Sequence, residues 1–492
     1  MPSTEISKSI QLKFLTLNCW GLKFVSSHRL QRIHAIADYL AASSPKDSND
    51  LIRPFSDLNN NQSDLNSNKP IIEPSHSSYD IVALQELWVY HDFLVIRDRA
   101  KESGLIYSKW FHSAALGSGL AILSRYPIVS SHFHPYALNG HPHHFIEGDF
   151  FVGKSVGTCL LNVPLVGEIE VFTTHLYAPH DVPAPEWKRA HRIAQSWELS
   201  KLVRASAERG RTVFVCGDLN SVPSSLPITI LQSYGQLRDS WKTSHPTSIS
   251  SLANDQDSFR NAIAEEGITC DSILNTFTAS KNPANRGAKG FGKRLDYIMY
   301  RPAAKIARRA NQGQSRTEFV DDQTILCDYS SVTLTEPIPV FGYSYSDHFA
   351  LEASFTIYPS KSSMPDCEDS SNQEPTAPAD SLTLDQLNHA ISALMIKYRS
   401  SERSGRFHLS IFILCVILTP GIAVAASFQP LKFLNWIFTL LSAFVGGLGM
   451  TMLYTGFLAG NWERNGIKEI CEQMEAELNW LRSTQSPRRR TD

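Results

Sequence analysis

Two long apolar runs near the carboxyl-terminal end constrain the fold of this chain more than any other feature. His408 to Phe428 and Phe433 to Gly460 contain no Asp, Glu, Lys or Arg. Each run is at or above the roughly twenty residues that a helix needs to cross a hydrocarbon core. Only a short turn joins the two runs, so the sequence predicts a helical hairpin with transmembrane helices at 408–428 and 433–460. A hairpin buried inside a globular protein is the alternative.

Small residues in the second run favour the membrane interpretation. Gly446, Gly447 and Gly449 form a stretch that is typical of membrane helices packed closely against a neighbour. The first run contains Pro420 and Gly421, which are also more common in membrane helices than in soluble ones.

Charges beside the runs predict the orientation of the hairpin. Basic residues flank the two runs on their outer sides, and the turn between them has one lysine: Lys397, Arg399, Arg403, Arg406, Arg464 and Lys468 against Lys432. The positive-inside rule then places both flanks in the cytosol. The large amino-terminal region is expected in the cytosol too, because Met1 to Lys13 has no apolar segment of signal-peptide type. Eight cysteines without a C-x-x-C pair suit that reducing compartment and indicate neither disulfides nor a zinc site.

The charge balance limits the partners of the chain. Its 46 Lys plus Arg and 48 Asp plus Glu give a net charge of −2. A protein that binds a long nucleic acid normally has a basic excess, so nucleic acid is not an expected partner. The basic tail at Arg488, Arg489 and Arg490 could contact anionic headgroups, or it could be simply solvated.

Composition and periodicity divide the chain into six regions. Strand-like and helix-like segments alternate over 10–357, interrupted by a predicted disordered insertion at 43–78 and by long loops at 243–257 and 281–290. The regions that follow are a linker at 359–380, a juxtamembrane helix at 381–406, the two apolar helices, and an amphipathic helix with a basic tail at 461–492. Thr383 and Gln386 form a capping-box pattern at the start of the juxtamembrane helix.

Regular elements are predicted throughout the first region. Strands are expected at 12–18, 80–84, 120–123, 168–174, 212–216, 295–300 and 349–355, and helices at 28–40, 91–103 and 186–209. Trp110 and Phe111 lie between two of these elements and are either core aromatics or an edge that dips into a membrane.

Polar residues stand where the predicted apolar strands begin or end, and this pattern carries the functional prediction. The residues are Asn18, Glu86, His175, Asp218, Asn220, Asp296, Asp347 and His348. Each one alone has an ordinary explanation, such as a turn cap or a hydrogen-bonded core histidine. Strand ends on one edge of a sheet can meet in a common cleft, so the whole series indicates a polar site.

Several short segments around these residues resemble the endonuclease/exonuclease/phosphatase superfamily. They are Leu17-Asn18, Leu84-Gln85-Glu86, Gly117 to Leu120, Ser124 to Ile128, Thr174-His175-Leu176, Gly217 to Asn220, Leu295 to Ile298 and Ser346-Asp347-His348, within residues 10–357. The resemblance implies a four-layer α/β sandwich of deoxyribonuclease-I-like type, which the transmembrane hairpin follows. It also implies Mg²⁺-dependent hydrolysis of phosphoesters.

The same resemblance implies a role for each polar residue. Glu86, supported by Asn18, would bind Mg²⁺, which prefers hard oxygen ligands. His348 would act as the general base, held by Asp347 or Asp296, because imidazole titrates near neutral pH. Asp218 would orient the water or the histidine. Asn220 and His175 would donate hydrogen bonds to the phosphoryl oxygens.

One motif suggests nucleotide binding but has the wrong context. Gly148 to Ser155 matches G-x-x-x-x-G-K-[ST] in full. A P-loop should open a helix whose amino terminus faces phosphate, whereas the residues from Val156 to Pro164 are β-branched and predict a strand. Phe150 and Phe151 would also crowd a phosphate, so ATP or GTP is not expected.

The same segment resembles the neutral sphingomyelinase branch of the superfamily, which includes the fungal inositol phosphosphingolipid phospholipases C. Asp149, Gly153 and Lys154 match a P-loop-like segment whose Asp and Lys are thought to switch between resting and active arrangements. An ordinary surface ion pair is the alternative. The resemblance also implies a phosphosphingolipid substrate and two carboxyl-terminal membrane spans. Separately, Lys154, the basic residues flanking the apolar runs and Arg488 to Arg490 predict activation by anionic phospholipids.

A cluster of three histidines is a weak candidate for a metal site. His141, His143 and His144 have no cysteine or carboxylate at zinc-ligand spacing and indicate a loop over the rim of the site.

Together these features predict a membrane-bound, Mg²⁺-dependent phospholipase C that releases ceramide from inositol phosphosphingolipids, sphingomyelin or both. The expected location is the endoplasmic reticulum or the mitochondrial outer membrane, with the catalytic domain in the cytosol. The alternatives are a membrane-tethered nuclease or inositol-phosphate phosphatase of the same superfamily, and an inactive membrane adaptor.

Overall fold

The computed structural model describes residues 9–42, 52–53, 78–142, 148–179, 186–246, 256–278, 290–311, 314–321, 323–358 and 382–485. The chain divides into two compact units. The first, here called the sandwich unit, comprises residues 1–136, 152–178 and 196–381. The second, here called the helical unit, comprises residues 137–151, 179–195 and 382–492.

The strands, in chain order, are β1 Ser9–Asn18, β2 Ile52–Arg53, β3 Ile81–Gln85, β4 Tyr107–Phe111, β5 Leu120–Ser124, β6 Ile128–Pro135, β7 Ser155–Val163, β8 Gly167–His175, β9 Thr212–Asp218, β10 Arg238–Asp239, β11 Asp296–Arg301, β12 Ala304–Asn311, β13 Gln314–Asp321, β14 Thr324–Thr333 and β15 Ala350–Tyr358. The helices are α1 Arg29–Ala42, α2 Tyr90–Ala100, α3 Asp149–Val152, α4 Glu186–Ala207, α5 Leu226–Ser233, α6 Ser240–Ser244, α7 Gln256–Glu266, α8 Leu384–Phe428, α9 Asn435–Leu453 and α10 Gly460–Gln485.

Two mixed sheets form the centre of the sandwich unit. The first has the order β14-β15-β1-β3-β5-β4, with β2 paired to β1, and the second has the order β10-β11-β9-β8-β7-β6. Neighbours within each sheet are antiparallel except for the pairs β1/β3 and β8/β9, which are parallel. Strands β12 and β13 form a separate hairpin.

Aromatic rings join the two sheets face to face. Phe14 of β1 stacks on Phe214 of β9 with ring centroids 4.3 Å apart. Phe355 of β15 packs edge-on against both rings. These strands are buried on both faces, which is why Ile81–Gln85 and its neighbours are continuous apolar runs and not alternating ones.

Helices cover the outer face of each sheet and complete four layers. Ile33 and Ile36 of α1 and Phe93 and Ile96 of α2 pack in one core cluster with Leu17 of the first sheet. On the second sheet the covering residues come from α4 and α5, and they are Leu199, Val203, Ile228 and Leu231. The predicted four-layer α/β sandwich is therefore confirmed.

In the helical unit, α8 runs unbroken for 45 residues and has Pro420 in its interior. Its first turn has the predicted capping box, because the Thr383 hydroxyl accepts from the Gln386 N–H and the Gln386 side chain accepts from the Thr383 N–H. The predicted juxtamembrane helix and first apolar helix are thus one continuous helix. A 3₁₀ turn at Lys432–Leu434, α9, a π-helical turn at Tyr454–Ala459 and α10 follow it.

Helix α8 and the continuous helical stretch Lys432–Ser483 form a hairpin, and both are long and apolar enough to cross a membrane. One close approach lies at Gly449 of α9, where an added Cβ would be 2.9 Å from the Cβ of Cys415 in α8. A Cβ at Gly446 or Gly447 would meet nothing within 4 Å, so these two glycines do not contribute to the packing. Helix α10, in the region of the predicted amphipathic helix, buries Ile467, Ile470, Cys471, Met474 and Leu478.

Three buried polar side chains and the partly buried His141, here together called the lysine cluster, lie in the helical unit. Lys397 of α8 lies with its Nζ 3.0 Å from Oε1 of Glu463 in α10 and contacts Nε2 of His141. Nε2 of His191 lies 3.8 Å from the same glutamate oxygen. Lys397 and His191 are both fully buried.

The remaining sequence predictions divide by location. The strand predicted after Lys154 is β7, so the sequence context that argued against a P-loop is confirmed. Phe111 is buried and Trp110 packs on Phe93, so both are core aromatics. Of the predicted insertion at 43–78, the described residues are Ile52 and Arg53, which form β2, and Ser78. The linker 359–380, His143, His144 and Arg488–Arg490 lie outside the described residues, as do most of the two predicted loops.

Candidate active site

The polar residues of the site stand at one edge of both sheets because of the two parallel strand pairs. In β1 and β3 the carboxyl ends coincide, so Asn18 lies opposite Gln85 and next to Glu86. In β8 and β9 the carboxyl ends also coincide, so His175 lies opposite Asp218. Strand β11 runs the other way and begins at Asp296, directly opposite Asp218. The strand-end pattern in the sequence therefore corresponds to one cleft in the sandwich unit.

An asparagine joins the two sheets at this cleft. Nδ2 of Asn18 donates to Oε1 of Glu86 at 3.0 Å and to Oδ2 of Asp218 at 3.1 Å. The Asn18 amide is fixed in turn, because its Oδ1 accepts from the N–H of Trp20 and its backbone carbonyl accepts from the Ser346 hydroxyl. Glu86 and Asp218 are thereby held near each other although they belong to different sheets.

His348 is fixed by a carboxylate on the neighbouring strand. Its Nδ1 is 2.8 Å from Oδ2 of Asp296, and its Nε2 is 3.8 Å from Oδ2 of Asp218. A carboxylate at Nδ1 favours a proton there, which leaves Nε2 of the neutral ring as the acceptor. Burial opposes protonation of His348, yet Cys270, Asp296 and Asp218 together raise its pKa well above the ordinary value.

The cleft has more carboxylates than it can easily keep ionised. Burial raises the pKa of Asp218 to about 7, and the nearby Asp296 adds to this effect. Burial and the charge of Asp347 also raise the pKa of Glu86, against the Asn18 hydrogen bond and the charge of Lys154. We call Glu86, Asp218 and Asp296 the carboxylate cluster.

This excess of negative charge fits a divalent cation. Ligand atoms of Asp218, Asp296 and His348 lie within 4.8 Å of one another. Oδ1 of Asp296 is buried and has no hydrogen-bond partner among the described residues. The Glu86 side chain is 20% exposed and opens to the cleft. Carboxylate oxygens at this density are the donor set that Mg²⁺ or a similar hard cation prefers.

Two further predicted residues adjoin the cluster. Nε2 of His175 lies 3.5 Å from Oδ2 of Asp218 and 3.9 Å from Oε1 of Glu86. The N–H of Asn220 donates to Oδ1 of Asp218, and its side-chain amide donates to the carbonyl of Leu176. The Asn220 amide is thus partly engaged with the backbone.

Two site residues have a left-handed backbone, with φ of 53° at Glu86 and 46° at Asn220. Residues other than glycine adopt this backbone region at a cost of order 1–3 kcal/mol. Each residue follows the end of a strand, so the unusual φ turns its side chain at the edge of the sheet.

The P-loop-like segment divides between the two units. In the sandwich unit Lys154 is 3% exposed, and its charge lowers the pKa of Glu86. Gly153 has φ of 61°, and a Cβ there would lie 2.6 Å from the Cβ of Ala114. Asp149 belongs to the helical unit and is buried at the start of α3.

Some residues near the site were not among those predicted. Cys270 forms an isolated β-bridge with His348, and its thiol is hydrogen-bonded to the imidazole. Arg32 of α1 donates to the backbone carbonyls of Cys19, Trp20 and Tyr345, which joins the loops beside Asn18 and His348. No local sequence pattern distinguishes either residue, because both act through contacts distant in the chain.

Comparison with known proteins agrees with this geometry. A model described as the Endonuclease/Exonuclease/phosphatase family matches residues 15–348. The chain belongs to the endonuclease/exonuclease/phosphatase family. It is a phosphodiester hydrolase of that family.

Individual relatives extend the similarity beyond the sandwich. The chain is 32% identical over 479 residues to the inositol phosphosphingolipids phospholipase C of Schizosaccharomyces pombe, covering 96% of this chain and 95% of that protein. It is 27% identical over 352 residues to sphingomyelin phosphodiesterase 2 of Rattus norvegicus, covering 71% of this chain and 65% of that protein. The solved structure of beta toxin from Staphylococcus aureus aligns with a TM-score of 0.43 at 17% identity, over 70% of this chain and 99% of that chain.

Proposed function

We propose that this chain is a membrane-bound phospholipase C that hydrolyses phosphosphingolipids to ceramide and a phosphorylated headgroup. The observation that carries the proposal is the meeting of Asn18, Glu86, Asp218, Asp296 and His348 in one cleft. The relative from Schizosaccharomyces pombe supports the lipid substrate, because the similarity covers nearly the whole of both chains.

His348 is the proposed general base. Asp296 holds Nδ1, so Nε2 of the neutral ring accepts a proton from water as the water oxygen attacks phosphorus. The bond from phosphorus to the ceramide oxygen breaks, the leaving oxygen takes up a proton from water, and the proton on Nε2 of His348 returns to solvent. Asp218, 3.8 Å from Nε2, stabilises the imidazolium that forms. His175 and Asn220 are the proposed donors to the phosphoryl oxygens.

Mg²⁺ is the proposed cofactor, held by Glu86 with Asn18 beside it and with Asp218 close by. When bound, it would offset the charge on the phosphoryl and leaving oxygens. The raised pKa values of Glu86 and Asp218 support this assignment, because burial, with a smaller contribution from neighbouring carboxylates, disfavours their charged forms and a bound cation would stabilise those forms.

The helical hairpin is the proposed membrane anchor, with the sandwich unit on the cytosolic side, at the endoplasmic reticulum or the mitochondrial outer membrane. Its length and apolar composition support the anchor. Anionic phospholipids are the proposed activators, acting through Lys154 and the exposed Arg399, Arg403 and Arg406 of α8, and Asp149 and Lys154 are the proposed regulatory pair. Activation of this kind weakens as salt screens the charges.

The test is hydrolysis by the purified full-length chain in mixed micelles, with and without Mg²⁺. Glu86→Ala should abolish Mg²⁺-dependent ceramide release. Arg97→Ala, at a partly exposed position on α2, is the control and should leave release unchanged. Equal ceramide release by the parent and Glu86→Ala would refute the proposal.

The headgroup is tested in the same assay. Inositol phosphoceramide and sphingomyelin are supplied side by side, because the relatives named above act on one or the other according to their names. We expect preference for inositol phosphoceramide, given the greater similarity to the fungal relative. Cleavage of nucleic acid or of a soluble inositol phosphate, with neither lipid hydrolysed, would favour the alternative activities of the family.

A further inference from the structure

Two tight turns beside the active site present apolar side chains to solvent. In the first, the Leu22 carbonyl accepts from the N–H groups of Val25 and Ser26, and Phe24 at the tip is 94% exposed. In the second, the Ile338 carbonyl accepts from Phe341 and Gly342, and Val340 at the tip is 84% exposed. Water contact of this extent is unfavourable for side chains of this size.

The two turns contact each other and the site. The His28 ring, next to the first turn, stacks on Tyr343 of the second turn with centroids 4.4 Å apart. The Phe341 ring stacks on the same tyrosine with centroids 5.3 Å apart. Arg32 donates to the carbonyls of Trp20 and Tyr345, so the bases of the two turns are tied together. Trp20 also donates its N–H to Asn18 of the site. The turns therefore lie on the rim of the cleft.

We infer that Phe24, Val25, Val340 and Phe341, here called the apolar rim, insert into the lipid bilayer from which the substrate is taken. The inference rests on the proposed function, because a lipid phosphodiester reaches the cleft only if the rim meets the headgroup region.

The charges of the apolar rim are compatible with contact to a lipid bilayer. Residues 20–28 and 338–343 include Lys23 and no Asp or Glu. Lys23 lies with its Nζ 4.9 Å from the centre of the Phe24 ring, so a cation stands beside the exposed aromatic. Apolar tips flanked by a cation and free of carboxylates suit a surface of acyl chains and phosphates. A soluble protein or a second copy of the chain would be recognised differently, and both are outcomes of the test.

Tryptophan fluorescence gives a readout that does not depend on activity. Phe24→Trp and Val340→Trp are made in the full-length chain and reconstituted into vesicles with and without brominated phospholipids. Val129→Trp is the control, because Val129 is a 59% exposed apolar residue on β6. We expect quenching above the parent level at positions 24 and 340 and none at 129. Absence of added quenching at both rim positions would overturn the inference.

Activity gives the second readout. The double variant Phe24→Ser/Val340→Ser should lose roughly tenfold in hydrolysis of vesicle lipid, which corresponds to burial of about one large apolar side chain. Hydrolysis of a short-chain, water-soluble analogue should stay unchanged. The control Ile106→Ser/Val129→Ser removes two other exposed apolar residues and should retain both activities.

The possible failures are distinguishable. Equal loss on both substrates would overturn the rim as a membrane contact and make it part of the catalytic machinery. A change in oligomeric mass in the double variant, with no quenching in the tryptophan variants, would assign the rim to a second copy. If the parent hydrolyses neither lipid, the proposed function fails, while quenching still reports whether the rim enters the bilayer.

Discussion

The carboxylate cluster of the sandwich unit and the lysine cluster of the helical unit are built from similar residues, yet their charges are balanced differently. In the first, two buried carboxylates and the partly buried Glu86 share one cleft, and the pKa of Asp218 rises to about 7. In the second, Lys397 lies directly against the one carboxylate, Glu463. The first cluster has an excess of negative groups, whereas the second contains its own cation.

The histidines of the two clusters differ in the same way. Three acidic neighbours, Cys270, Asp296 and Asp218, raise the pKa of His348 against the effect of burial. Burial and the charge of Lys397 lower the pKa of His191 well below its ordinary value, against the charge of Glu463. The charge balance thus favours the protonated form of the buried histidine in one cluster and the neutral form in the other. Burial and residue type alone do not distinguish a site from a structural contact, whereas the charge balance does.

Loss of the catalytic histidine should give the largest effect. His348→Ala should lower kcat by a factor of about 10³, because a general base contributes roughly 10² to 10⁴ in rate. The measurement is ceramide release with Mg²⁺ present. His134→Ala is the control, because His134 pairs with Glu198 at the half-exposed end of β6 and should have no effect. Retention of more than a tenth of the activity in His348→Ala would contradict its assigned role.

Loss of the buried lysine should affect stability and not chemistry. Lys397→Leu leaves Glu463 buried without its cation and should lower the stability by about 3 kcal/mol. The double variant Lys397→Leu/Glu463→Leu should recover most of the loss. The measurement is the thermal midpoint of the full-length chain in detergent.

An exposed pair on the same helix is the control for that prediction. Arg406 and Glu402 form an i,i+4 pair, and Arg406→Leu should change the stability by less than about 1 kcal/mol. If the double variant were as unstable as Lys397→Leu, the charge balance would not explain the lysine cluster.

Helix packing should matter less than the buried charge. Gly449→Val would place its Cβ within the contact to Cys415 and should cost about 2 kcal/mol, as overpacking usually does. Gly446→Val meets open space and is the matched control. Equal thermal midpoints for the two variants would show that the close approach at Gly449 contributes little.

The pH response of the carboxylate cluster should give the smallest change. The pKa of Asp218 is higher in the folded chain than in the unfolded chain, so the unfolded state binds fewer protons and stability falls as the pH rises from about 4 to about 7. Mg²⁺ should restore that loss, because it binds the ionised carboxylate. The thermal midpoint should therefore rise more with Mg²⁺ at pH 8 than at pH 5.5.

Asp218→Asn tests the origin of that effect. It removes the buried charge and should raise the midpoint without Mg²⁺ at pH 8 by about 2–4 °C, while activity is lost. A midpoint that responds equally to Mg²⁺ in the parent and in Asp218→Asn would place the cation away from this residue.

The sequence predicted the site better than its surroundings. Asn18, Glu86, His175, Asp218 and Asp296 were found because apolar strands end or begin beside them, and parallel pairing brings such positions together. The choice of Asp296 over Asp347 as the partner of His348 required the structure, since both carboxylates were compatible with the pattern.

Other features depend on contacts that no local pattern records. The strands β4, β6 and β14 are mixed in polarity and were not predicted, because edge positions need no continuous apolar run. The lysine cluster joins His141 to Lys397, which are 256 residues apart. The sequence also did not predict the apolar rim as a membrane contact. It indicated Trp110 and Phe111 as a possible membrane edge, but Phe111 is buried and Trp110 packs against the core.

Because α8 is continuous, a change in its tilt at one end displaces its other end. At 1.5 Å per residue its 45 residues span about 67 Å, so a tilt of about 10° would carry one end roughly 12 Å sideways. Lys397 stands on the same helix as the apolar segment, with no loop between them to absorb such a motion. In the proposed membrane anchor, a change in membrane thickness that altered the tilt of α8 would therefore also move the buried Lys397.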